Sequence, residues 1–273
     1  MWTSSYLKLY EKIGLPKPAV DIFSRKIPLL SGVWEAPGDV WGFPPALLPL
    51  WTDGSLFSYQ GYWKHWFCER KMTIVELRPE GGLNAIEIAR NFDQLASLLV
   101  LYGVVAADGV DSEVESFCVS VGVDDPYLID KLSVDVGDVP EALKTLPIFT
   151  DDLPSCLLDP GEKYAGDLPV EGEVVGDLRN FCLIEFPPEV RGNMKSKALV
   201  PSWLLPGDKK NVFDECFRQG DMLGAWMSIN SNGWDVSELK SAMARLADVS
   251  NDDLFKELAD AWLLASDAEF VPY

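Results

Sequence analysis

Acid–base or metal chemistry that relies on imidazole has one residue to draw on, because His65 is the only histidine among 273 residues. A centre needing two or three His ligands is therefore ruled out. A Ser-His-acid or Cys-His nucleophile would have to use His65, and no G-x-S-x-G elbow accompanies it. His65 and Cys68 have H-x-x-C spacing, but in an alternating strand such positions point to opposite faces. Packing with a hydrogen bond to the ring is the expected role of His65. Asp108, Asp111 and Glu113 bring three carboxylates together in Ala106-Ala107-Asp108-Gly109-Val110-Asp111-Ser112-Glu113. They lack the D-x-[DN]-x-[DN]-G ligand ladder of an EF-hand. A helix C-cap followed by an Asp N-cap accounts for the same letters. Gly81-Gly82 has neither a P-loop lysine nor a following helix, so nucleotide binding has no support. The paired acids Asp151-Asp152 and Asp252-Asp253 read as capping or solvated groups. No catalytic residue, metal ligand or cofactor is expected on these grounds.

The elements that must carry these residues change character along the chain. Tyr6, Leu7, Leu9, Tyr10 and Ile13 could line a helical face that Gly14 and Pro16 end. Pro28 to Pro49 is dense in Pro and Gly and should be irregular. Three antiparallel strands are expected next, from the aromatic run Leu56 to Phe67, from Met72 to Leu77, and from Leu83 to Ala89 after a Glu80-Gly81-Gly82 turn. Tyr59, Tyr62, Trp63, His65, Trp66 and Phe67 would cover both faces of the first strand. That strand is then either enclosed on both sides or presents Trp63, His65 and Trp66 as anchors to a protein partner. A helix follows from about Asn91, and further helices start near Asp111 and at Asp125-Pro126. Residues 147–207 are rich in Pro, Gly and acid, with one strand at Phe181 to Phe186, and form the candidate boundary. The last sixty or so residues read as three or four helices. Asp235-x-x-Glu238 opens one and Ser250-x-x-Asp253 the next. The expected class is α+β: a small N-terminal antiparallel meander packed with helices, and a mainly helical C-terminal part. The expected divisions are 1–106, 107–177 and 178–273, with one continuous domain as the alternative.

Charge is distributed unevenly. The 43 acidic and 23 basic residues give a net −20, and residues 108–177 alone hold 18 acids against 3 lysines. Such a field repels phosphate backbones and anionic bilayers, so neither nucleic acid nor membrane is expected as a partner. The longest nearly apolar run, Leu95 to Ala107, is short of the roughly 20 residues that span a bilayer. The N-terminus lacks a basic region followed by an apolar one, and five cysteines without a C-x-x-C pair read as reduced thiols. A cytoplasmic protein is the expectation.

Two resemblances follow. The Asp108-Gly109…Glu113 stretch resembles the helix-loop-helix signature of TerB-like tellurite-resistance proteins. Over residues 46–102, Leu47-Leu48-Pro49-Leu50-Trp51-Thr52-Asp53-Gly54-Ser55 precedes aromatic strands and Ala89-Arg90-Asn91-Phe92-Asp93-Gln94-Leu95 opens a helix. This order is similar to the SUKH superfamily, many of whose members are cytoplasmic bacterial immunity proteins that block toxins, often nucleases. The resemblance implies a non-enzymatic protein that occludes a basic toxin. Independently, an acidic surface suits the basic groove of a phosphate-cleaving partner and speeds encounter with it. Asp108, Asp111, Glu113, Asp151 and Asp152 are the expected steering residues. A carboxylate- or metal-dependent hydrolase and a scaffold subunit of a larger assembly are the alternatives.

Overall fold

The computed structural model describes residues 3–31, 40–52, 58–78, 82–169, 177–194, 199–267 and 269–270. Residues 32–39 of the irregular stretch expected from Pro28 to Pro49, and the expectations placed on Asp53-Gly54-Ser55, Leu56-Phe57 and Glu80-Gly81, lie outside them. Helix α1 (Thr3–Ile13) buries Tyr6, Leu9 and Tyr10. It ends at Gly14, whose φ of 80° suits a residue without a Cβ. Pro16 then leads into α2 (Lys17–Phe23). After the two-residue β1 (Val40–Trp41), the strands β2 (Leu47–Thr52), β3 (Tyr59–Trp63), β4 (Thr73–Arg78) and β5 (Asn84–Ala89) form an antiparallel sheet in that order.

The sheet thus has one strand more than the three read from the sequence. Proline has no N–H to give a ladder and is confined to edges and bulges. Pro49 satisfies both conditions, because β2 is an edge strand whose register with β3 shifts between Pro49 and Trp51. The aromatic strand is also shorter than expected. It stops at Trp63, and His65, Trp66 and Phe67 lie in the connection to β4. Every residue of β3 is buried, which explains why its sequence shows no polar alternation.

Helix α3 (Phe92–Ala107) starts where the Asn91 side chain accepts the Gln94 N–H, close to the expected position. Helices α4 (Ser112–Val121) and α5 (Pro126–Val136) pack against it, capped by Asp111 and Asp125. A 3-10 turn over Pro140–Thr145 and α6 (Pro147–Thr150) follow. No strand forms over Phe181 to Phe186. Two 3-10 turns, Leu178–Asn180 and Leu183–Glu185, bury Cys182, Ile184 and Phe186 without extending the backbone. Helix α7 (Pro188–Asn193) and a turn at Ser202–Leu204 lead to α8 (Lys209–Gln219), α9 (Met222–Ile229), α10 (Val236–Val249) and α11 (Asp253–Ala265). Asp235 caps α10 as expected. For α11 the cap is Asp252 rather than Ser250, whose hydroxyl instead accepts the Asp252 N–H at 3.1 Å. β6 (Glu269–Phe270) pairs in parallel with β1.

The chain is α+β. Its buried side chains join one core that runs from Tyr6 to Ala265 and draws on all three expected divisions. Two polar ties link its ends: Trp262 Nε1 donates to the Phe43 carbonyl at 3.1 Å, and Asn230 Oδ1 accepts the Ala46 N–H at 2.6 Å. Among the described residues no helix is long and apolar enough to cross a membrane.

Strands β2 and β3 close on each other at Gly61, where an added Cβ would stand 2.3 Å from the Leu48 carbonyl oxygen. Both atoms belong to rigid backbone, so a side chain there forces the strands apart. Gly61→Ala is expected to destabilise by about 2 kcal/mol or more, as overpacking does. Gly192→Ala, in α7 with nothing within 4 Å, should be neutral or slightly stabilising. Urea unfolding of the two variants checks the contrast.

Candidate functional site

The residues expected to do chemistry or to anchor a partner fall in two places, one inside the protein and one on its surface. Trp63, His65 and Trp66 are 1%, 4% and 7% exposed. They are core residues, and none of them offers a partner a surface, which corrects their assignment as anchors. The end of β3 and the loop after it turn Trp63 and His65 inward onto Glu185, a carboxylate that is 3% exposed, and Trp66 onto the Phe255 ring. Trp63 Nε1 donates to Glu185 Oε1 at 2.8 Å, and Arg70 Nη1 stands 2.7 Å from the same oxygen. Glu185 Oε2 accepts the Cys182 N–H at 2.8 Å, closing the 3-10 turn. Arg70 Nη1 also donates to the Asn180 carbonyl at 2.8 Å.

The imidazole is fixed from both sides. Trp226 Nε1, which can only donate, lies 3.0 Å from His65 Nδ1. The proton of the neutral ring is therefore on Nε2, which donates to Glu185 Oε1 at 3.0 Å. Burial depresses the His65 pKa below its usual 6.5 despite the neighbouring carboxylate. Burial also opposes the charge of Glu185, but Arg70 foremost, together with His65 and the Cys182 N–H, outweighs it and holds the group at about 2. Burial and Glu185 push the Cys182 thiol well up, so it stays protonated. His65, Cys182 and Glu185 have ligand-type atoms within 4.8 Å of one another. They do not suit a metal: both imidazole nitrogens are engaged by protein groups, and the arginine already supplies the positive charge a cation would bring. With no lone pair of His65 left to accept a proton from a nucleophile, the cluster positions chain segments and performs no acid–base step.

A second buried carboxylate, Glu87 on β5, fastens the 155–168 stretch to the sheet edge. Thr73 Oγ1 donates to it at 2.5 Å, and the Ser155 N–H and Tyr164 hydroxyl at 2.9 Å each. Burial raises its pKa against the pull of these donors. Asp152, one of the expected steering residues, is engaged close by, with Oδ1 2.6 Å from Arg90 Nε. Asp151 beside it is exposed.

The other expected residues are local devices on the surface. Asp108 has φ 57° and forms the left-handed C-cap of α3. Asp111 accepts the N–H groups of Glu113 and Val114 at 2.9 Å each as the N-cap of α4. Glu113 accepts both the N–H and the hydroxyl of Ser31, tying the loop after α2 to α4. These three do not converge as a ligand set. They begin a strongly negative surface, since residues 108–141 contain ten carboxylates and a single lysine. Among the described residues, none of the ten lies within 4.0 Å of a basic group. The same helices expose apolar side chains: Val119 is 86% exposed, Val134 79% and Tyr127 58%. Glu115 and Val119 share a face of α4 at i, i+4 spacing, and Tyr127 and Val134 share one of α5 at i, i+7. The Tyr127 hydroxyl donates to Glu115 Oε1 at 2.6 Å, which puts the two stripes side by side.

Sequence reasoning did not find Glu185, Arg70, Trp226 or Glu87. The side-chain partners of Glu185 are 115 to 122 residues away, and no spacing rule connects them. No protein-family model matches the chain, and no curated protein or solved structure matches it either.

Loss of Glu185 should be severe, because Arg70 would keep a buried, uncompensated charge. Glu185→Gln is expected to cost about 3–5 kcal/mol at pH 7 by urea unfolding. The pH dependence has a definite sign. Both folded pKa values lie below the ordinary 6.5 and 4.5, so the unfolded chain binds more protons in acid and stability falls with pH. The His65 contribution is lost as pH drops below about 6.5, and that of Glu185 between about 4.5 and 2. Thermal unfolding across this range should show the gap between wild type and Glu185→Gln narrowing in the lower window.

Proposed function

We propose that this chain is a non-enzymatic binding protein of the immunity or inhibitor kind, which engages a basic protein partner, such as a phosphate-cleaving toxin, and occludes its active site. The observation that carries this reading is the α4–α5 surface, with ten carboxylates lacking ion-pair partners among the described residues and Val119, Tyr127 and Val134 exposed between them. A solubilising surface needs charge but gains nothing from exposed valines. A protein interface uses both, with charge setting the encounter rate and apolar or aromatic anchors setting residence. Unscreened carboxylates concentrated on one helical layer produce a directed field, which complements a groove lined by Lys and Arg. The similarity of residues 46–102 to SUKH proteins supports the immunity reading. The buried, fully engaged His65 supports a role without imidazole catalysis.

Asp124, Asp130 and Asp135 accept no capping hydrogen bond and can be neutralised without harm to the helices. The test is stopped-flow association with basic nuclease toxin domains at several salt concentrations. The wild-type association rate should fall about tenfold or more as salt rises from low to physiological strength. The variant Asp124→Asn/Asp130→Asn/Asp135→Asn should associate more slowly with a shallower salt dependence. Val119→Ser/Val134→Ser should instead speed dissociation. Salt-insensitive association, or inhibition unchanged in both variants, would overturn the reading.

A further inference from the structure

Exposed apolar side chains are concentrated in one part of the chain. Eight of the twelve large apolar residues that are exposed among the described residues lie between Val105 and Ile148. The helices there, α4 and α5, bury Phe117, Cys118, Ile129 and Ser133 and turn their other faces to solvent. Only residues 122–125 join the two helices, and so short a connection makes them antiparallel neighbours. The outward face of α4 carries Val119. That of α5 carries Tyr127, Lys131 and Val134 at i, i+4, i+7 spacing, with the aliphatic stem of the lysine continuing the stripe. At 100° per residue, Asp130 and Asp135 fall on opposite sides of that stripe.

The acids on this surface differ from those elsewhere. Asp159 and Glu162, on the wall of a cleft of about 960 Å3 beside β5, share Lys144 at 2.6 and 3.4 Å. None of the ten carboxylates from Asp108 to Glu141 lies within 4.0 Å of a basic group of the described residues. An occupant must therefore be cationic, which sets aside nucleic acid, an anionic bilayer and a second copy pairing through the same face. It must also satisfy its own backbone. The N–H and C=O groups along α4 and α5 are used within the helices, so an extended segment laid on them would lose water and gain no partner. A helix has no such deficit, and its side chains pack between two neighbouring helices as ridges into a groove.

We infer that the α4–α5 surface receives an amphipathic helix of the partner, with aliphatic residues at i, i+3 and i+7 and Lys or Arg on either side. This rests on the reading of that surface as the partner-binding face and adds the kind of element it binds. The aliphatic stripe of the incoming helix lies against Val119, Tyr127 and Val134. Tyr127 and Val134 are about 10 Å apart along α5, two turns of helix, which matches the i to i+7 repeat of the incoming stripe. The cations beside that stripe meet Asp124, Asp130 and Asp135.

The test uses the full chain and a labelled peptide, acetyl-Leu-Lys-Lys-Leu-Ala-Lys-Lys-Leu-Lys-Lys-Leu-Ala-Lys-Lys-amide, followed by fluorescence anisotropy, circular dichroism and amide chemical shifts. Saturable binding is expected, with helical signal gained on mixing and the largest shifts in α4 and α5. The same peptide with proline in place of both alanines keeps every charge and every leucine but cannot be helical, and should bind about tenfold more weakly or worse. Val119→Ser/Val134→Ser, at exposed positions of similar helix propensity, should weaken the alanine peptide about fivefold and leave urea unfolding unchanged. Absence of saturable binding, equal binding of the two peptides, or shifts outside α4 and α5 would each overturn the inference. If basic toxin domains still associate through this face with the expected salt dependence, the broader reading stands without the helix; if they do not, both fall.

Discussion

A carboxylate taken out of water must be compensated in place, and the way Glu185 is compensated organises much of this protein. Five groups reach it: the Trp63 indole, His65, Arg70 and the N–H of Cys182 directly, and Trp226 through the imidazole. They come from the end of the central strand, the loop after it, a 3-10 turn and a C-terminal helix. Each alone would be an unsatisfied polar group in the core; together they satisfy one another, with Arg70 Nε the cluster atom that has no hydrogen-bond partner among the described residues. The arrangement fixes where the C-terminal helices sit against the sheet. It also accounts for the conformation of the Phe181 to Phe186 segment, whose apolar residues are buried by turning around Glu185 rather than by extending.

That interior hub leaves interaction to the surface. The charge of −20 is not evenly spread, and its densest part sits on helices whose own carboxylates find no basic neighbours among the described residues. Several of these acids have local duties. Asp111 and Asp125 cap helices, and Glu113 pins the Ser31 loop, so the surface is negative partly because its helices are built with acidic starts. Val119, Tyr127 and Val134 are exposed among them, so the same surface carries apolar side chains as well as charge. On the other side of the sheet edge, the same economy applies to Glu87. Its hydrogen bonds hold the Ser155 and Tyr164 ends of the 155–168 stretch against β5.

What was legible in the sequence was local. The caps at Asn91, Asp111, Asp125 and Asp235 follow from a side chain meeting N–H groups two or three residues ahead, and each was read close to its place. The strands from Thr73 and Asn84 were legible from alternation and apolar runs. The failures share a cause. Pro49 hid β2, because its acceptance depends on an edge position and a bulge that only sheet order reveals. The run Phe181 to Phe186 imitated a buried strand, since burial and extension leave the same apolar letters. Trp63, His65 and Trp66 could be core or surface, and only the packing of α9 and the 3-10 turn against them decides for core.

By itself, then, the sequence determined the α+β class, the helix starts and the placement of an acidic middle between a Trp-rich front and a helical end. These rest on interactions spanning a few residues or on composition, which need no partner from elsewhere in the chain. Tertiary structure alone decided that the single histidine is sealed between Trp226 and Glu185, that Arg70 is the counter-ion of that carboxylate, and that the edge of β5 opens into a cleft. Each depends on groups far apart in sequence whose approach is set by burying one shared core, and burial selects contacts by shape and charge rather than by spacing.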